Sequence, residues 1–262
     1  MRNWTREEEI VVFDLYCKIP FNKSSKNHPD VIRVANIIGR SPSSVNMKIG
    51  NFGSFDENLK QKGIVGLTNA SKLDGEIWNE FNEHWDELSV ESAQIIARMS
   101  TNTAPFINNT DMPLGKEKEA VIKQRVNQSF FRSAVLASYS CKCCITGLPF
   151  SDMLIASHIK PWKESTDSEK TNPRNGLCLN ALHDKAFDKG YITVKPNGQI
   201  LISKDLKQNN SDIIKEYFLR YDGEMIRLPE KFLPEKVFLE YHNDVIFEKG
   251  ESNENKQTTF FV

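Results

Sequence analysis

Three polar residues stand out by type and spacing: His158, Asn175 and His183, seventeen and then eight residues apart. His158 closes the strand-like run Met153-Leu-Ile-Ala-Ser-His158, Asn175 opens the turn Asn175-Gly-Leu-Cys-Leu179, and His183 follows Leu182 where a helical pattern begins. An imidazole at a strand end can take a proton from an attacking water, and an asparagine across the loop can hold that ring in one orientation. A ligand on the next helix can hold a divalent ion that neutralises charge on a leaving oxygen. A single histidine is more often a satisfied core residue, and His28, His84 and His242 are read that way. The order of base, orienter and ligand sets His158 and His183 apart.

These residues need a rigid frame. From Lys116 a basic helix, KEKEAVIKQRVNQSFFRSAVLASY, precedes the strand that delivers His158. The first ninety residues read as helical. Thr5-Arg-Glu-Glu8 is a capping box opening a helix with Val12, Leu15 and Tyr16 on its apolar face. Pro29 suits a first turn, Gly39 a stop, and Ser41-Pro42 an immediate restart with Val45, Ile49 and Phe52 inward. Two helices joined by a glycine turn form a helix-turn-helix-like pattern, leaving Ser43, Ser44, Asn46 and Lys48 outward. A further helix is predicted from a cap at Asp74 through Ile77, Trp78, Phe81, Trp85 and Leu88, its aromatics forming core. The stretch STNTAPFINNTDMPLG, with little periodicity, reads as a linker.

With 39% apolar residues, 26% charged and a net charge of -1, the composition is that of an ordinary globular chain. Charge is unevenly spread. Asn22–Phe52 holds five basic residues against Asp30, and Lys116–Lys142 holds six against Glu117 and Glu119, so each is net +4. Glu230–Asn255 offsets them with seven acidic residues against three lysines. No run of eighteen apolar residues exists, and MRNWTREEEI has three glutamates where a signal peptide needs an apolar run. A cytoplasmic protein with no membrane partner is expected. Five cysteines, four of them at Cys141, Cys143, Cys144 and Cys178, do not suit a secreted disulfide framework.

The segment resembles the HNH nuclease superfamily, and more narrowly its restriction-type branch. The matching words are Cys144-Ile-Thr-Gly147, Ser157-His-Ile-Lys-Pro-Trp162, Asn175-Gly-Leu-Cys-Leu179, His183 and Phe187-Asp-Lys-Gly190. The resemblance implies a ββα-metal fold with His158 as general base, Asn175 as its orienter and His183 as a ligand for Mg²⁺ or Mn²⁺. It also implies DNA hydrolysis leaving a 5′-phosphate and a 3′-hydroxyl. Many members place Asp or His just before the base, where this chain has Ser157, a poor ligand for a hard cation. Asp188 is the substitute candidate, with Asp184 and Asp152 behind it. Relatives that carry structural zinc use two C-x-x-C pairs; Cys141-x-x-Cys144 supplies one, but Cys178 has Ala181 rather than a cysteine three residues on, and one pair cannot fill a tetrahedral site. Structural zinc is therefore not expected, and Cys144 and Cys178 are read as small buried hydrophobes.

The expected architecture is α+β: a helical DNA-recognition domain over 1–99, a linker over 100–115, a nuclease domain with a C-terminal extension over 116–250, and a tail over 251–262. Expected DNA contacts are Arg40, Ser43, Ser44, Asn46, Lys48, Lys160, Arg174 and Lys185. The expected function is metal-dependent cleavage of double-stranded DNA, for restriction of foreign or modified DNA. One active site per chain cuts one strand, so double-strand cleavage would favour a homodimer. The alternatives are a non-catalytic DNA-binding regulator and a nuclease directed at RNA.

Overall fold

The computed structural model describes residues 2–63, 70–100 and 116–247, without the side chains of 116–119. Most of the linker and the tail expected from the sequence lie outside these residues. The capping box forms as its residue types dictate. Thr5 Oγ1 accepts from the Glu8 amide at 3.3 Å, and the Thr5 amide donates to Glu8 Oε2 at 3.0 Å. That cap starts α1 (Arg6–Lys18), whose residues from Glu8 to Cys17 are all buried. The helix is central to the N-terminal half and packs against its neighbours on every side.

Around it stand α2 (Pro29–Ile38), α3 (Pro42–Gly53) and the short α4 (Glu57–Gln61). Gly39, at φ +65°, ends α2 in the left-handed conformation that glycine adopts without steric cost. Two residues on, the Ser41 hydroxyl accepts from the Ser44 amide at 3.2 Å and starts α3. The single helix predicted from Asp74 is two: α5 (Lys72–Phe81) and α6 (Trp85–Met99). Ser71 is the cap of α5, and Asp74 is the third helical residue, returning a bond to the Ser71 amide at 2.8 Å. The break before Trp85 lets that indole pack on Phe130 and Phe232, at centroid distances of 6.3 and 5.1 Å.

Helix α7 (Lys116–Ser138) belongs to two cores. Phe130 and Ala134 join the helical core built on α1, while Phe131, Val135 and Leu136 join the second core. Onto α7 pack β1 (Leu154–His158) and, beyond α8 (Asp167–Thr171), its antiparallel partner β2 (Gly176–Asn180). His158 pairs with Gly176 in that register. A Cβ at Gly176 would lie 2.4 Å from the Val135 side chain, so glycine is what lets β2 approach α7 this closely. Helix α9 (Ala181–Asp188) leaves β2 without a loop. A second hairpin, β3 (Ile192–Val194) with β4 (Ile200–Ile202), is followed by α10 (Lys204–Gln208), α11 (Asp212–Tyr217) and α12 (Lys236–Tyr241).

The C-terminal half also reaches back. Lys231, fully buried, donates to the carbonyls of Tyr16, of Cys17 at 3.4 Å and of Ile19 at 2.9 Å, while Phe232 enters the helical core. Carbonyls at a helix C-terminus lack intrahelical donors, so one ammonium caps the end of α1. Among the described residues no helix is long and apolar enough to cross a membrane.

Candidate active site

His158 sits at the end of β1 on one wall of an open cleft of about 610 Å³, which also has Ser157, Asp184 and Asp188 on its walls. The imidazole stacks on Phe131 at 3.8 Å between centroids and meets the edge of Trp162 at 5.4 Å. Its Nε2 lies 3.0 Å from the Lys170 carbonyl oxygen. A carbonyl can only accept, so Nε2 carries the proton and Nδ1 is the basic nitrogen. Burial against Phe131 lowers the pKa of His158, outweighing the opposing pull of that carbonyl. The ring is thus held neutral and able to take a proton, the state a general base needs.

Asn175 makes no hydrogen bond to the imidazole. It is fully buried, its Oδ1 accepting from the Lys160 amide at 2.8 Å and its Nδ2 donating to the carbonyls of Lys160 at 3.3 Å and Glu169 at 3.2 Å. The Asn175 carbonyl in turn accepts from the Ile159 amide at 3.0 Å. These bonds fasten the 159–170 loop at both ends, and the carbonyl that holds His158 belongs to the residue after Glu169. Asn175 is therefore linked to the ring only through the loop backbone.

Helix α9 presents two faces. His183, Ala186 and Phe187 are one turn apart and buried, while Asp184 and Asp188 share another side at i and i+4 and reach the cleft. Lost hydration raises the pKa of Asp184, against which the neighbouring Ser157 hydroxyl and Lys185 work. Lost hydration also raises Asp188, and repulsion from Asp184 adds to it. The Ser157 hydroxyl is buried beside Asp184 without a hydrogen bond of ordinary geometry. Lys163, Lys185 and Lys189 line the same cleft exposed to solvent. Of these, Lys163 and Lys189 were not singled out in the sequence. The signal for Lys189 is positional, since it follows Lys185 by four residues just past the end of α9; Lys163 carries none.

In place of the metal ligand expected at His183, the structure has a buried, fully bonded ring. Its Nε2 donates to the Tyr217 carbonyl at 2.7 Å and its Nδ1 accepts from the Asn180 amide group at 3.0 Å, so neither nitrogen offers a lone pair to a cation. The rings of Phe218 and Tyr221 meet it edge-on at 5.4 and 5.7 Å. Burial acts to raise the Cys143 thiol, but the neighbouring His183 ring and the donors of Thr146 and Ile145 outweigh it and bring the pKa to about 7. Burial pushes Cys178 up to about 12 and Cys144 far up as well, so these two stay neutral in the core. The reason His183 misses the cleft is helical: it shares the buried side of α9 with Ala186 and Phe187, three and four residues on.

Among the described residues no three of His, Cys, Asp and Glu stand close enough to hold a metal ion by themselves. The cleft nonetheless fits a hydrated Mg²⁺-type ion, which binds through one or two carboxylates and takes its other oxygens from water and substrate phosphate. Asp184 and Asp188 supply two crowded carboxylates, and the Ser157 hydroxyl lies beside Asp184. Asp152 is exposed before β1 and does not line the cleft.

The remaining expected residues are scattered. Lys48, expected outward, is buried and bonded to Glu9 at 2.8 Å and to Asp74, because it follows Val45 by three residues on the inward stripe of α3. Arg40 is paired with Glu8 at 2.7 Å. Asn46 accepts from the Ser24 hydroxyl at 2.7 Å, Ser43 is exposed and Ser44 half-buried. Lys160 pairs with Glu169 at 2.8 Å, Arg174 reaches Asn82 at 3.3 Å, and Lys185 is in the cleft. Of the histidines read as core, His242 is buried against Phe187, but His28 caps α2 and His84 is exposed, polar capping and loop positions having no apolar environment to enter.

No curated protein matches the chain. The family model described as HNH endonuclease matches residues 143–195, a span that runs from Cys143 through β1, β2 and α9 to the end of β3. Residues 143–195 are an HNH-type endonuclease domain.

Proposed function

We propose that the chain is a divalent-cation-dependent DNA endonuclease of ββα-metal type, with His158 as general base and Asp184 and Asp188 as the cation site. The observation that carries this reading is the neutral His158 ring, its Nε2–H fixed on the Lys170 carbonyl and its other nitrogen left without a protein partner, in a cleft shared with two mutually repelling aspartates. Nδ1 of His158 takes a proton from water as the water oxygen bonds to phosphorus and the bond to the 3′ oxygen breaks. Phe131 and Trp162 keep the imidazole from turning. Lys163, Lys185 and Lys189 attract and seat the phosphate backbone. A cation bound at the aspartates supplies charge neutralisation for the leaving oxygen.

The substrate is double-stranded DNA, and the helical half, with α2 and α3 in a helix-turn-helix-like succession, chooses the site. Restriction of foreign or modified DNA fits a nuclease joined to such a half, and cutting both strands calls for a homodimer. Incubation of the protein with supercoiled plasmid and with labelled RNA of matching sequence, in Mg²⁺ or Mn²⁺, tests the reading. Nicked plasmid with intact RNA is expected. Binding of the plasmid without any cut would favour a non-catalytic regulator, and equal cleavage of both would favour an RNA-capable nuclease.

A further inference from the structure

A second histidine, His242, also borders the cleft of His158, Asp184 and Asp188, with only 1% of its surface exposed. It stands where α12 runs on into a π-helical segment, His242–Phe247. Such wide turns are rare and often sit at functional sites. The imidazole lies flat on the Phe187 ring, 3.6 Å between centroids, and both its nitrogens are engaged. Nε2 is 3.1 Å from the Phe187 carbonyl oxygen, which can only accept, so Nε2 carries the proton. Nδ1 is then an acceptor, and the Thr193 hydroxyl of β3 donates to it at 2.8 Å.

What that ring holds is the end of α9. Phe187 is the last residue but one of the helix, and Asp188 is the last. Helix-end carbonyls lack intrahelical donors, and the last turn frays unless outside groups serve them. The Phe187 carbonyl takes the Gly190 amide at 2.9 Å and, from outside the helix, the His242 ring. The same π-helical segment closes on Gly190, at φ +74°, where a Cβ would lie 2.5 Å from the Ile246 carbonyl oxygen. Asn243 ties that segment to β3, its Nδ2 donating to the Val194 carbonyl at 2.9 Å. The two aspartates differ in what fixes them. Asp184 has the Ser157 hydroxyl beside it. Among the described residues Asp188 has no hydrogen bond or ion pair of its own, only the more distant charges of Asp184, Lys185 and Lys189. Its carboxylate takes its place from the backbone of the last turn.

We infer that His242 is a positioning residue for the divalent cation: its Nε2–H on the Phe187 carbonyl fixes the last turn of α9 and so holds Asp188 beside Asp184 for the ion. The inference rests on Asp184 and Asp188 being the cation site. His242 touches neither the ion nor the substrate and acts through one carbonyl. Loss of such a partner behind a metal ligand weakens metal binding by about 10–100-fold.

The test is a Mn²⁺ titration of the full chain without DNA, read from the loss of the free-ion electron paramagnetic resonance signal, with the melting temperature measured alongside. His242→Phe keeps a flat ring on Phe187 and removes both hydrogen bonds. Its Mn²⁺ dissociation constant, measured well below its melting temperature, should rise about tenfold. His242→Gln, whose amide nitrogen can stand in for Nε2 on the Phe187 carbonyl, should bring the constant back to within about threefold of the parent. Thr193→Val, a milder change that leaves the ring with one bond fewer, should shift it in the same direction as His242→Phe. A lowered melting temperature with an unchanged Mn²⁺ constant in His242→Phe, or in Thr193→Val should the phenylalanine variant not fold, overturns the inference and leaves His242 as core. Equal weakening in both histidine variants overturns it too, since ring packing rather than the Nε2–H would then be in charge. A parent that binds no Mn²⁺ overturns the cation site itself and the inference with it, so the two failures give different results.

Discussion

The Nε2–H of His158 ends on the carbonyl of Lys170, 3.0 Å away, and one residue earlier the Nδ2 of Asn175 holds the Glu169 carbonyl at 3.2 Å. The asparagine and the histidine are joined through a single turn of loop backbone. A ring stacked on Phe131 and held at one nitrogen has little freedom left.

Asn175→Ala should therefore unfasten the loop as well as weaken the fold. The Lys160 amide and the Glu169 carbonyl lose their side-chain partner and the Lys160 carbonyl loses one of two, and a loss of about 2–4 kcal/mol in urea denaturation is expected. Nicking measured well below the new melting temperature should still fall at least about tenfold, since His158 loses its fixed orientation. Full activity in the folded variant would separate Asn175 from the base.

Asp188 and His183 should respond in opposite ways. Asp188→Asn should raise the Mg²⁺ concentration for half-maximal nicking by about tenfold or more, with little change in melting temperature. His183→Ala should cost about 2–4 kcal/mol by leaving the Tyr217 carbonyl and the Asn180 amide unpaired, while the Mg²⁺ requirement of the folded fraction stays the same. The reverse pattern would put the cation back on His183.

Glu9 gives a pH signature. Its pKa is raised to about 7 in the fold against 4.5 for an unperturbed glutamate, so the folded state binds a proton that the unfolded chain has already released. Stability from this group is complete below about pH 4.5 and lost as pH rises through about 7, by up to roughly 3 kcal/mol. Glu9→Gln cannot titrate there, so its stability relative to the parent should improve from pH 5 to pH 8. Parallel stability curves across that range would contradict the shift.

Lys231→Met tests the join between the two halves. Burial lowers the Lys231 pKa to about 8, yet its ammonium serves the last carbonyls of α1. Methionine fills much of the space and serves none of them, so a loss of about 2–4 kcal/mol is expected by thermal or urea denaturation. An unchanged midpoint would mean that water can cap α1 equally well.

Local rules were legible in the sequence wherever one residue type decides a geometry. Thr5 with Glu8, Gly39, and Ser41 before Pro42 each set a helix boundary where the fold has it. The strand ending at His158 was equally plain, whereas the helix expected from Leu182 opens one residue earlier, at Ala181, and the turn expected over Asn175–Leu179 is mostly the strand β2. What was not legible is which side of a helix a polar residue takes when its neighbours compete. Lys48 lies on the stripe of Val45, Ile49 and Phe52, and it goes inward because Glu9 and Asp74 wait there from two other helices. His183 shares its side of α9 with Ala186 and Phe187, leaving the cleft to Asp184 and Asp188. Both cases depend on partners distant in the chain, which helical spacing alone does not reveal.

The most direct measurement is single-turnover nicking of supercoiled DNA in Mg²⁺ by the parent protein and by His158→Ala, with filter retention of the same DNA alongside. With His158 as the base, the rate should fall by about 10²–10⁴ while retention stays nearly level. A variant that nicks at the parent's rate would show that some other group takes the proton.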